Sequence, residues 1–245
     1  VDELTLVIDD RIATLTIDRP ARRNAMSFQM WSALPGLMDQ VTGSDARVLV
    51  IRGTEHFSAG ADISEFATLR KGAEGARRYG NAVHAGERAI AELPIPTIAA
   101  IAGFCIGGGC EIALACDLRI AAEGARFGIT PAKLGIVYHF TSTRQLVAAV
   151  GPAWAKQILF SADLIDAATA LRIGLVNEVV AALDERVAQL AAGIASRAQV
   201  SVRGAKQIVN RIVAGQTSED QVISSLYETA VLSDDYAEGV NAFLA

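Results

Sequence analysis

Glu111 stands where a charge is least expected. It lies within "AIAGFCIGGGCEIALACDLRIA", residues 100–121, a stretch that is nearly all small or apolar. Three glycines, Gly107, Gly108 and Gly109, come just before it. A helix starting at these glycines turns free backbone N–H groups outward, at the positive end of its dipole. Such a terminus can hold a phosphate or stabilise a developing oxyanion. No Lys-Ser or Lys-Thr follows, and the spacing is GGG rather than GxGxxG, so neither a P-loop nor a dinucleotide fingerprint fits. One turn into the helix, Glu111 can simply complement the dipole. Set among Cys110, Ile112, Ala113 and Leu114, it also gains the raised pKa that suits proton transfer.

A second segment has a related character. "HFSAGADISEF", residues 56–66, follows a buried strand and leads into a helix. It reads either as an ordinary strand-to-helix loop capped by Asp62 or Ser64, or as a second N–H donor facing the first. Two such donors make an oxyanion hole.

The elements that must position these groups follow from periodicity. "ELTLVIDDRIATLTIDRP" predicts a β-hairpin turning at Asp9-Asp10 and ending at Pro20. "RRNAMSFQMWSALPGLMDQV" predicts a helix capped by Ser27, with Pro35 and Gly36 leaving its middle open. "ARVLVIRGT" and "PIPTIAAIAGF" are short apolar strands of the kind buried in a parallel sheet. Residues 73–92 form an amphipathic helix of mixed charge. "DLRIAAEGARFGI" holds another strand, and "GPAWAKQILFSADLIDAATALRIGLVNEVV" reads helix, loop, helix, strand. From about residue 182 the chain is helical. Strands alternating with helices, then helices alone, predict one α/β core over residues 1–190 and a helical segment over 191–245.

Composition narrows the partners. The 245 residues are 51% hydrophobic with a net charge of −5, and Lys and Arg are scattered. No basic comb exists for nucleic acid, and no apolar run reaches membrane-span length without Gly or a charge. The three cysteines, Cys105, Cys110 and Cys116, predict buried thiols and a cytoplasmic protein rather than a disulfide framework. With no His near them and no CxxC pair, no metal site is expected. His56 and His84 are expected to be structural.

Taken together, "RPARRNAMS", "FSAGADI", "PTIAAIAGFCIGGGCEIALACDLRIA", "ARFGITPAKLGI" and "AKQILFSADLIDAATALRIGLVNEVV" resemble the crotonase (enoyl-CoA hydratase/isomerase) superfamily, in order and over nearly the whole chain. The resemblance implies a crotonase-like ββα spiral core with a C-terminal helical trimerisation segment, and a homotrimer or dimer of trimers. It implies an acyl-CoA substrate and no cofactor beyond that CoA. Two backbone amides, at Ala61 and Gly108, would polarise the thioester carbonyl and stabilise an enolate. Arg22, Asn24 and Ala25 match the region that holds the nucleotide end of CoA. Ala61, Asp62 and Ile63 match the stretch that meets its adenine and pantetheine. Glu111 matches the first catalytic carboxylate of the hydratases.

The chain departs from that pattern twenty residues later. Hydratases carry a second Glu in a stretch like "FGxPE"; here the stretch is "FGITPAK" and the matching position is Pro131. Hydration needs water positioned, deprotonated and its proton returned, and Pro131 can do none of this. "LGIVYHF" offers Tyr138 and His139 instead, each expected either to reach the site or to be an ordinary half-buried aromatic and a surface histidine. Three readings remain open. One is a hydratase/isomerase-family enzyme, lyase or isomerase, working with Glu111 as acid/base. Another is a methylmalonyl-CoA-type decarboxylase, suggested by "TPxxLGxxY", in which Thr130 and Tyr138 face the acyl group. The last is an acyl-CoA-binding protein without turnover.

Overall fold

Alternating Leu, Val and Ile residues pair the first two strands, β1 (Leu4–Asp9) and β2 (Ile12–Ile17), antiparallel. Asp9 faces Ile12 across the ladder, so the turn residues are Asp10 and Arg11, both at positive φ. The expected Asp9-Asp10 turn is thus shifted by one, which keeps Ala13, Leu15 and Ile17 facing the core. The computed structural model describes residues 2–244.

Helix α1 (Phe28–Thr42) begins where Ser27 accepts a hydrogen bond from the Met30 amide. Pro35 lies inside α1 and does not end it. β3 (Val48–Gly53) follows, then α2 (Phe66–Leu69), α3 (Gly72–Ala91), β4 (Thr97–Ile101) and β5 (Phe104–Ile106). α4 (Gly108–Ala115) is buried along its whole length. β6 (Leu118–Ala122) and β7 (Arg126–Gly128) occupy the stretch expected to hold one strand. α5 (Phe140–Ser161) breaks at Gly151. β8 (Ile165–Asp166), α6 (Ala167–Arg172), β9 (Glu178–Val180) and α7 (Leu183–Ala195) lead to α8 (Gln199–Val213), α9 (Gln221–Val231) and α10 (Asp234–Leu244).

The main sheet has the order β1-β2-β3-β4-β6-β9, parallel from β2 onward. A smaller sheet, β5-β7-β8, stands beside it. β4 is buried at every residue, because helices cover both faces. Leu49, Ile51, Ala99 and Ile101 belong to the core that includes Trp31 and Leu34 of α1 and Ile90 of α3. Val48, Val50, Ile98 and Ala100 face Val187, Ala191 and Ala195 of α7. Residue 190 falls within α7, whose Ala191 and Ala195 still pack on the sheet. Beyond that, Lys206 of α8 is pinned to Asp117 and to the Ile95 carbonyl, 2.8 Å each. Among the described residues, no helix is long and apolar enough to cross a membrane.

Candidate active site

Two loops set the amides. Residues 58–62 run parallel to residues 23–26: the Met26 N–H donates to the Gly60 carbonyl at 2.7 Å, and the Asp62 N–H to the Met26 carbonyl at 2.9 Å. Ser58 Oγ donates to the Asn24 carbonyl and accepts from the Gly60 amide. Among the described residues, the Ala61 N–H between these bonds has no acceptor, and neither has the Gly108 N–H at the start of α4. Gly60 (φ +98°) is required here, since a Cβ would lie 2.7 Å from the Ile106 carbonyl oxygen. A Cβ at Gly108 would stand 3.2 Å from the Ala61 nitrogen and 3.5 Å from a Glu111 carboxyl oxygen. The two amides and the carboxyl group therefore converge.

Ala61, Gly108, Glu111, Thr130, Pro131, Tyr138 and His139 line one pocket, with Ile63 at its edge. Glu111 is the one acidic side chain lining it among the described residues. Burial pushes its carboxyl well above the usual range, and the nearby Glu87 adds to this. Pro131 opens a single helical turn, Pro131–Leu134, where a missing N–H costs nothing. Burial also raises the Tyr138 hydroxyl, keeping it protonated; it makes only a long contact, 3.4 Å, to the Gly107 carbonyl. His139 lines the pocket but is exposed as a whole; burial of its ring, Arg70 and His84 lower its pKa and favour the neutral form.

The residues expected at CoA divide. Ala61 and Ile63 line the pocket; Arg22, Asn24, Ala25 and Asp62 do not. Arg22 is exposed. The Asn24 side chain is fully buried and spent on backbone, donating to the Thr54 and His56 carbonyls and accepting from the Arg19 amide. Asp62 caps the turn at Ile63–Glu65 and pairs with Arg19 at 2.7 Å. Burial opposes its charge, yet Ser64 and Arg19 outweigh burial and hold its carboxyl below the usual range. These two side chains build the loop that carries Ala61.

Three residues near the site went unread in the sequence. Tyr79 of α3 lines the pocket with a buried hydroxyl that has no partner among the described residues. Ser142 of α5 is fully buried and donates to Glu87 Oε1 at 2.6 Å, with Glu111 Oε1 at 3.4 Å. Glu87 of α3 is fully buried, and burial pushes its carboxyl up to about 7 against the opposing Ser142 bond. Its position was detectable: Tyr79, Val83, Glu87 and Ile90 recur at helical spacing on the buried face. His84, expected to be structural, is half exposed with its Nδ1 4.0 Å from Glu87 Oε2. His56 packs on Phe104 at 4.8 Å, away from the pocket. The three cysteines are buried free thiols.

Known proteins share this framework. The sequence model of the enoyl-CoA hydratase/isomerase family matches residues 8–245. A crotonyl-CoA hydratase from Syntrophomonas wolfei is 37% identical over 99% of this chain and 95% of its own length. A short-chain-enoyl-CoA hydratase from Clostridium acetobutylicum is 35% identical over 100% of this chain and 95% of its own. Among solved structures, an enoyl-CoA hydratase/isomerase family protein from Hyphomonas neptunium superposes with a TM-score of 0.96 at 39% identity, covering 99% of this chain and 94% of that one. An enoyl-CoA hydratase from Bacillus anthracis gives 0.91 at 30% identity, over 98% and 95%. With matches of this length in both sequence and structure, the chain belongs to the enoyl-CoA hydratase/isomerase family and is an enzyme of the crotonase fold.

Proposed function

We propose that this protein moves a proton at the carbon skeleton of an enoyl-CoA thioester, shifting its double bond through an enolate. The observation that carries the reading is the convergence of two amides, Ala61 and Gly108, on a pocket lined by the Glu111 carboxyl group; among the described residues the amides are unpaired and that carboxyl is the only one lining the pocket. The amides take the charge that develops on the thioester oxygen. Glu111 removes a proton from one carbon and returns it to another. A double-bond shift needs no second acid/base group, whereas hydration has to activate water as well, and Pro131 supplies nothing for that. The relatives named hydratases make crotonyl-CoA the first compound to set against a 3-enoyl-CoA.

A decarboxylase of malonyl-type thioesters is the second reading. It is favoured by Thr130 and by Tyr138, whose hydroxyl burial holds well above its usual range, lining the same pocket among Leu134, Ile136 and Val137. One mass-resolved assay on crotonyl-CoA, a 3-enoyl-CoA and methylmalonyl-CoA separates the possibilities. An isobaric shift of the 3-enoyl compound supports isomerisation. Gain of water makes the enzyme a hydratase, and loss of carbon dioxide a decarboxylase. Inertness towards all three, with CoA binding retained, favours a binding protein. A homotrimer or dimer of trimers is part of the same proposal, supported by the exposed apolar side chains of the tail, such as Leu232, Phe243 and Leu244; a cytoplasmic location is supported by the three buried free thiols.

A further inference from the structure

Behind Glu111 lies a second carboxyl group, Glu87, that does not line the pocket. Glu87 and Glu111 come from different helices, α3 and α4, and the hydroxyl of Ser142 from α5 stands between them. A hydroxyl has one proton to donate and lone pairs to accept another. Between two carboxyl groups it can therefore donate to one only, and the other is best accommodated as the acid. The 2.6 Å bond to Glu87 Oε1 has the length of a hydroxyl donating to an ionised carboxylate; the 3.4 Å separation from Glu111 is long. Above about pH 7, where Glu87 ionises, the resting arrangement is thus a protonated Glu111 and an ionised Glu87.

A protonated Glu111 is an acid and cannot begin a reaction that starts by removing a proton. We propose that Glu87 is a positioning residue that stores the proton of Glu111 through Ser142, switching Glu111 between acid and base. In the switch, the proton on Glu111 Oε1 passes to Ser142 Oγ as the hydroxyl proton of Ser142 passes to Glu87 Oε1. Glu111 is then ionised and Glu87 neutral, with no change in the total charge of the pair. When a substrate C–H bond breaks, its electron pair enters the enolate and its proton goes to Glu111.

The outer end of the chain is also placed. Glu87 Oε2 is buried with no hydrogen-bond partner among the described residues, and the half-exposed His84 approaches it to 4.0 Å. His84 thus offers the stored proton a route to solvent that bypasses an occupied pocket. Other charged and titratable groups that bear on the pair are Cys110 of α4, Arg70 after α2, Tyr79 of α3 and Tyr138 ahead of α5. α1 turns Trp31 and Leu34 toward α3, neither of which titrates.

This inference rests on the proposed enolate chemistry, and one probe tests the two separately. The probe is butyryl-CoA in deuterated water, whose α-hydrogens exchange only if Glu111 both takes a proton and trades it with solvent. The wild type should incorporate deuterium, with a bell-shaped pH profile belonging to the pair. Glu87→Gln should slow incorporation by about tenfold or more and replace the bell by a single limb, because Glu111 then titrates alone. Its affinity for butyryl-CoA should stay within about twofold, since Glu87 does not line the pocket. Ser142→Ala, which leaves both carboxyl groups in place, should slow incorporation likewise and guards against a Glu87 variant that fails to fold. Wild-type exchange rates and an unchanged pH profile in both variants would overturn the relay and leave the enolate chemistry standing. No exchange in the wild type, and no turnover of any enoyl-CoA, would overturn both.

Discussion

Replacing Glu87 by Gln should change how stability depends on pH, and the structure sizes the effect. A glutamate in the unfolded chain titrates near 4.5, whereas burial pushes Glu87 up to about 7 in the fold. Between those values the folded state holds a proton that the unfolded state has released. The stabilisation is fully present below pH 4.5 and is lost as pH rises through about 7. The change amounts to about 3 kcal/mol for this carboxyl. In a chain of this length that corresponds to a fall in Tm of roughly 10 °C. Glu111 acts in the same direction, since its carboxyl is also raised, first by burial and then by Glu87. In the variant the amide does not titrate, and Glu111 loses its like-charged neighbour.

Urea unfolding of both proteins from about pH 5 to about pH 8 reads the effect directly. Any packing difference between Glu and Gln is a constant offset and cancels when slopes are compared. The wild type should lose most of the 3 kcal/mol, roughly, across this range, and the variant distinctly less. At the alkaline end Glu87→Gln should gain on the wild type by about 2 kcal/mol or more. Parallel curves would refute the reasoning, because they would mean that Glu87 titrates no differently in the fold than in the unfolded chain.

Other expectations follow from the same geometry. Glu111→Gln should lower proton transfer by about 10²–10⁴-fold while leaving CoA-thioester affinity intact; full activity would remove Glu111 from the chemistry. Gly108→Ala puts a methyl group 2.9 Å from Trp31 and 3.2 Å from the Ala61 nitrogen. It should lower kcat by about 10²–10³-fold, as loss of an oxyanion donor does, and cost about 1–3 kcal/mol of stability through overpacking; a variant as active and stable as the wild type would show that the two amides do not act together. Light scattering should return the mass of a trimer or of a multiple of it, and a monomer mass would sink the assembly proposed for the tail.

What was legible in the sequence was local. The Gly107–Gly109 start of α4, the burial of Glu111 and the Ser27 cap are set by residues within a turn of one another, and each was read from adjacent residues. The hairpin turn slipped by one because Asp9, Asp10 and Arg11 all tolerate a turn, and only the pairing of Asp9 with Ile12 decides among them. β7 and β8, of three and two residues, are too short for any alternation to appear. The roles of Asn24 and Asp62 depended on partners far along the chain: Thr54 and His56 for the first, Arg19 for the second.

Glu87 is the instructive case. Its helical face was readable, since it follows Val83 by four residues and precedes Ile90 by three. Its chemistry was not, because Glu111 and Ser142 lie on other helices and meet it only in the fold. Pro131 looked like a simple loss when only the pocket lining was considered. With α3 in place, the chain holds two carboxyl groups within one hydroxyl of each other, and only one of them faces the substrate pocket. Two acids facing a substrate can divide the work of activating water and protonating carbon. Two acids in line behind one another can pass a proton between them, and that arrangement leaves the one facing the pocket free to act first as base and then as acid.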